Sequence, residues 1–371
     1  MSKPRVLVLG GGNGAFASAA DLSLKGFKVS LLEIPEFAAG IQAAREKGGI
    51  DLTARGTKAV QTGFAKLECI TSDASEVVPD ADILLLVTPA FAQRKFAEAC
   101  APYMRPGQVV ILTPGNFGGS IEFSNVLGKH GTRKGVVIAE GECMIYSGFK
   151  DSATSVWVSG YKAGMKIAAF PAKDTTAAFE AMRILYPDVE AAENVFETGL
   201  RNVNTVLHAP ILILNAGWVE ASEGDFLFYW DGCTPSVGRA VEAVEAERLA
   251  LGTALGLKLT PTRDVLMRWY ADEGIKGDTL TEALATNPVY EWDTAPKTLQ
   301  HRFFLEDIPY GMVPMEDIAA LAGVPTPVIS SVITLASTAL DMDLREGARG
   351  LQSLGMAGMN IQQVKQFIEG G

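Results

Sequence analysis

The feature that most restricts what this chain can fold into lies within its first fifteen residues. Arg5–Gly10 (RVLVLG) is a short apolar run that ends in glycine, and Gly10-Gly11-Gly12-Asn13-Gly14-Ala15 follows at once in the pattern GxGxxA. The next apolar residues, Phe16–Lys25, have helical spacing, and Gly26 stops them. Lys28–Ile34 then reads as a second strand carrying an acid, Glu33, near its end. This order has a chemical purpose. Gly10 permits a tight turn, Gly12 lets backbone approach a pyrophosphate, and Ala15 lets helix and strand pack closely. The helix start supplies N–H groups and a positive dipole end. Glu33 stands where an acid hydrogen-bonds the adenine ribose hydroxyls, so the segment is expected to bind a dinucleotide through Gly10, Gly12, Asn13, Gly14, Ala15 and Glu33. A carboxylate there repels a 2′-phosphate, and Ile34-Pro35-Glu36 offers no Arg to receive one. NAD is therefore favoured, with NADP still possible.

The alternation continues. Ile83–Thr88, Gln108–Thr113, Val136–Ala139, Val156–Gly160 and Met165–Phe170 read as strands, and Phe91–Cys100 and Asp174–Leu185 as helices. Runs that are apolar on both faces, separated by helices, mean parallel strands buried on both sides. The expected fold class is α/β, a doubly wound parallel sheet. Thr88-Pro89 and Thr113-Pro114-Gly115-Asn116 follow two of its strands, where ligands sit in such sheets. Both loops are candidates for the nicotinamide end, with ordinary turn chemistry as the other reading. After about Pro187 strand-like runs give way to helical periodicity, with Thr234 as N-cap and Pro235 at the first position of one helix. The expected division is residues 1–187 for the dinucleotide and 188–371 for an all-helical second domain.

Composition excludes other classes. The chain has 371 residues, 48% of them hydrophobic and 20% charged, with a net charge of −11. That is globular, and too acidic to favour nucleic acid or anionic membranes. Four scattered cysteines without CxxC spacing suggest buried thiols in a reducing compartment and no metal site. No leader-like or bilayer-length apolar run is read, so the expected setting is a soluble protein of the cytoplasm.

Three histidines can be weighed singly. His130 falls in a polar turn, and His301 lies beside a charged, aromatic segment, Arg302–Pro309. His208 is unusual. On a helix from about Val195, the residues Arg201, Asn204, His208 and Asn215 share one face, and Pro210 follows closely. A polar stripe on an apolar helix must be satisfied by something. It is either a core histidine with a local partner or a catalytic one. Arg302 could grip a carboxylate bidentately, and Asp307 could orient and stabilise an imidazolium. Nothing in the spacing joins Asp307 to His208.

Taken in order, GGGNGA, NVNTVLHAPILILNAG, CTPSVGRAVEAVEAERLALG, HRFFLEDIPYGMVPMEDIAALAGVPTP and LREGARGLQSLG resemble the opine dehydrogenases of the octopine/nopaline and N-(1-carboxyethyl)-norvaline type over nearly the whole chain. The resemblance implies an N-terminal Rossmann domain, an all-α C-terminal domain and a site in the cleft between them. It implies NAD(P)H-dependent reductive condensation of an α-keto acid, most simply pyruvate, with the amino group of an amino acid. By the same resemblance His208 is the catalytic histidine and Asp307 its carboxylate partner. Arg302 contacts a substrate carboxylate, Asn204 is a polar neighbour, and Asn116 and Glu142 are looser substrate contacts. Competing readings are a ketopantoate reductase or glycerol-3-phosphate dehydrogenase type enzyme and a non-catalytic dinucleotide sensor. Enzymes of those two types rely on a lysine, and Glu193–Gly217 offers a histidine and none. The helical half could supply a homodimer face, although no heptad seam marks it.

Overall fold

A computed structural model describes residues 3–370, in two compact units. The first comprises residues up to 115, 119–195 and 368 onward, and the second 116–118 and 196–367.

Among the described residues the first unit has twelve strands: β1 (Arg5–Leu9), β2 (Lys28–Leu32), β3 (Gly49–Ala54), β4 (Gly63–Lys66), β5 (Cys69–Thr71), β6 (Ile83–Leu86), β7 (Val109–Leu112), β8 (Val137–Gly141), β9 (Tyr146–Ser152), β10 (Ser155–Tyr161), β11 (Lys166–Ala169) and β12 (Glu190–Ala191). The main sheet runs β12-β11-β8-β7-β6-β1-β2-β5. Its pairings are parallel except β8 with β11. The apolar alternation of β1 explains the layering. Leu7 and Leu9 join Leu84, Leu86, Val110 and Leu112 against Phe96 and Ala97 of helix Ala90–Cys100, and Phe123 and Leu127 of helix Gly119–His130. Val6 and Val8 face the other way, onto Ala15, Phe16, Ala19 and Ala20 of helix Asn13–Leu24.

A second sheet, β4-β3-β10-β9, covers the far side of that helix, where Ile50, Leu52, Val156 and Val158 share its core. Eight consecutive helical residues, Ala15–Leu22, are therefore buried. Four alanines keep the helix narrow enough for two sheets to close on it. Of the small sheet, only β10 is marked as a strand by the sequence, and it lies here instead of in the main sheet.

The second unit is helical. The expected continuous helix from Val195 is three: Val195–Leu200, Val203–Leu214 and Ala216–Ser222. The break has a local cause. Asn202 takes an extended conformation and its side chain accepts from the Asn204 N–H, an N-cap that starts a new helix. Helix Pro235–Leu255 starts at the expected place, with Pro235 in its first turn, but the Thr234 side chain makes no capping hydrogen bond. The buried Arg248 of this helix donates to Glu245 at 2.9 Å and to the carbonyl of Leu200 at 2.8 Å, tying it to the end of the first short helix. Among the described residues no helix is long and apolar enough to cross a membrane.

Candidate active site

In the first unit the glycine turn lies between β1 and helix Asn13–Leu24, with Gly12 at the N-cap. Gly10 has φ +122°, and a Cβ there would meet the Val87 carbonyl at 2.7 Å and Thr88 Cγ2 at 2.9 Å. A Cβ on Gly14 would meet Val87 Cγ1 at 2.8 Å. A Cβ on Gly12 would meet nothing within 4 Å, although Gly12 has ordinary extended backbone. Gly10 and Gly14 thus allow the turn to pack, and Gly12 leaves open space above the helix start. Buried Thr88 Oγ1 and Thr113 Oγ1, just past β6 and β7, have no hydrogen-bond partner among the described residues. Open space, helix N–H groups and orphaned hydroxyls fit a dinucleotide. Pro89 is at the N-cap of helix Ala90–Cys100.

Glu33 is only 7% exposed. Its Oε1 accepts from the Ile34 N–H at 2.8 Å, and its carboxylate also accepts from the Gly11 N–H. Burial raises its pKa above the ordinary carboxylate value, against those hydrogen bonds and Lys150. Glu142 is fully buried just after β8. Its Oε1 accepts from the Lys166 N–H at 2.8 Å, and its own N–H donates to the Lys166 carbonyl.

The second unit assembles most of the other expected residues. His208 is on helix Val203–Leu214, and Asp307 follows the short helix Arg302–Leu305. The structure pairs them, with His208 Nδ1 2.6 Å from Asp307 Oδ2. His208 Nε2 lies 2.8 Å from the Tyr229 hydroxyl. An ionised carboxylate can only accept, so Nδ1 carries the proton, and Nε2 accepts from Tyr229. Phe303 stacks on the imidazole with centroids 3.9 Å apart. His208 and Asp307 are 3% and 5% exposed. Burial drives the Asp307 carboxyl toward its protonated form, and Arg302 opposes this. His301, at the N-cap of the Arg302 helix, is lowered to about 4 by burial, by Arg302 and by His208, and so is neutral near pH 7.

Arg302 is 42% exposed in its side chain, with Nη1 3.7 Å from Glu306 Oε2. Glu306 Oε1 accepts from Asn116 Nδ2 at 3.1 Å, and Asn116 Oδ1 accepts from Asn202 Nδ2 at 2.7 Å. Asn116, with φ +56°, is thereby held in the second unit. Asn204 is half-buried, one turn before His208.

Two members of the expected stripe are elsewhere. Arg201 precedes the helix break and is buried, donating to Thr260 Oγ1 at 3.2 Å. Asn215 donates to the carbonyls of Ile211 and Gly232, which closes a helix end. His130 is exposed at the end of helix Gly119–His130. Tyr229 and Glu306 were missed. Tyr229 lies in FLFYW, which reads as plain core, and Glu306 is one of two adjacent acids with nothing to single it out.

A dinucleotide turn and a buried carboxylate–histidine pair define the class, an NAD(P)-dependent oxidoreductase. The family model for the α-helical domain of NAD/NADP octopine/nopaline dehydrogenases matches residues 191–340. An opine dehydrogenase of Arthrobacter sp. (strain 1C) is 35% identical over 98% of this chain and 98% of its own. The chain belongs to the opine dehydrogenase family, enzymes acting on CH–NH donors. A solved octopine dehydrogenase, described with NADH and L-arginine, superposes with TM-score 0.77 at 21% identity, covering 99% of this chain and 98% of that one. A yersinopine dehydrogenase described with NADP+ gives 0.71 at 16% identity, covering 99% and 98%.

Proposed function

We propose that this chain reduces the imine formed between an α-keto acid, pyruvate in the first instance, and the amino group of an amino acid, and catalyses the reverse oxidation. The observation that carries the reading is the buried chain Asp307–His208–Tyr229. Bound NAD(P)H supplies the hydride. The glycine turn at Gly10, Gly12, Asn13, Gly14 and Ala15, with Glu33, Thr88 and Pro89, holds that cofactor. The proposed division of labour gives it to residues 1–187 and the substrates to 188–371, with Glu142 as a contact from the former.

His208 moves the proton. In the oxidative direction neutral Nε2 takes it from the substrate amine, and Asp307 stabilises the resulting imidazolium. Tyr229 keeps Nε2 an acceptor until substrate replaces it. In the reductive direction the protonated pair returns the proton to nitrogen. Arg302 grips a substrate carboxylate, and Asn116 and Asn204 add polar contacts. We further infer a cytoplasmic homodimer, in keeping with four free cysteines and with exposed Leu214 and Trp218 on the helical unit.

The test is NADH oxidation with pyruvate against each amino acid in turn. At least one pair should support turnover that needs both substrates. Cofactor binding without turnover on any keto acid and amino acid would return the chain to the sensor reading.

A further inference from the structure

Lys150 lies on β9, in the small sheet, and is 139 residues from the turn it reaches. Its Nζ is 3.3 Å from the Gly11 carbonyl and 3.4 Å from the Gly40 carbonyl, both long for an ammonium. The same nitrogen sits 3.6 Å from the Phe16 ring centroid, and the Lys150 backbone N–H donates to Asn13 Oδ1 at 3.1 Å. Among the described residues no carboxylate pairs with it directly, and Glu33 acts on it only at longer range. Another cation near this end of β2, Lys95, is already bonded to Glu36 at 2.7 Å.

The half-buried ammonium has two weak carbonyl contacts and an aromatic face but no directly bonded anion, and burial lowers its pKa. An anion would compensate it better. It faces Gly11, the residue whose N–H also bonds Glu33, so it stands on the Glu33 side of the turn, where the adenine ribose is read. We propose that Lys150 is the cation that receives the ribose 2′-phosphate of a dinucleotide, so that this chain binds NADP(H) as well as NAD(H). The proposal rests on the reading that the glycine turn and Glu33 hold the cofactor. It also answers the apparent lack of a basic residue after β2, since the cation comes from another sheet.

Fluorescence titration tests this without turnover, using NADH, NADPH, ADP-ribose and 2′-phospho-ADP-ribose. The wild-type chain should bind both members of each pair. Lys150→Met should weaken NADPH and 2′-phospho-ADP-ribose about tenfold or more, the loss of one charge-assisted contact, and leave the other two within about threefold. Lys150→Arg should retain most of the NADPH affinity, which a merely structural lysine would not require. Equal weakening of all four ligands places Lys150 at the pyrophosphate or in the fold, and overturns the inference, as does no change in any. Wild-type binding of NADH without NADPH also overturns it and leaves the cofactor reading intact. Binding of neither removes that reading as well.

Discussion

At the scale of single residues, the proposed chemistry rests on one imidazole held from both sides. Asp307 at 2.6 Å favours the charged ring, and the Tyr229 hydroxyl at 2.8 Å favours the neutral one by donating to its lone pair. Removing each partner should therefore move the pH profile in opposite directions. Asp307→Asn removes the anion that stabilises the imidazolium, so the acid limb of amine oxidation moves to lower pH and kcat falls by roughly 10²-fold or more. Tyr229→Phe removes a donor to the neutral ring, so the same limb moves to higher pH. Profiles of kcat/KM against pH, which report the free enzyme, check this for both variants, and shifts of one sign would contradict it. The residues in the pair could be picked from the sequence as types. Their pairing is implied by the family resemblance and not by spacing, because 99 residues separate them and no helical or strand period spans that interval. Tyr229 was hidden for another reason. In an aromatic run a phenol that packs and a phenol that donates look the same.

At the scale of elements, what could be read depended on whether burial was uniform. Strands β1, β6 and β7 are apolar on both faces and declare themselves. Strand β4, GFAK, is short, β9, YSGFKDS, is interrupted by glycine, and both are partly exposed, so no periodicity marks them. Yet β9 delivers Lys150 to the glycine turn. Helix Gly119–His130 is obscured by its glycines and serines in the same way. The polar stripe failed because it assumed one helix where Asn202 starts a second, which sent Arg201 to Thr260 instead of toward His208. The strand–turn–helix element separates two kinds of glycine. Gly10→Ala forces a Cβ to 2.7 Å from the Val87 carbonyl at a φ of +122°, and should lower stability by about 1–3 kcal/mol. Gly12→Ala meets nothing within 4 Å in the protein itself, so it should leave Tm unchanged while weakening NADH through the space the pyrophosphate needs. Thermal melts and NADH titrations of the two variants check this contrast.

At the scale of the whole molecule, a net charge of −11 sets a field that opposes an anionic cofactor and anionic substrates. Attraction must then be local. The second unit offers Arg302 near the imidazole and the first offers the helix start at Gly12 and Lys150 beside it. Arg201 contributes to the fold of the second unit instead. Because the residues proposed to hold the cofactor and those proposed to move the proton belong to different compact units, binding and turnover should separate on substitution. The most direct measurement is His208→Ala, with NADH affinity and turnover of pyruvate plus the preferred amino acid recorded on the same preparation. The account predicts NADH affinity within about threefold of wild type and kcat lower by roughly 10²–10⁴-fold. Near-normal kcat in that variant, with NADH still bound, would contradict it.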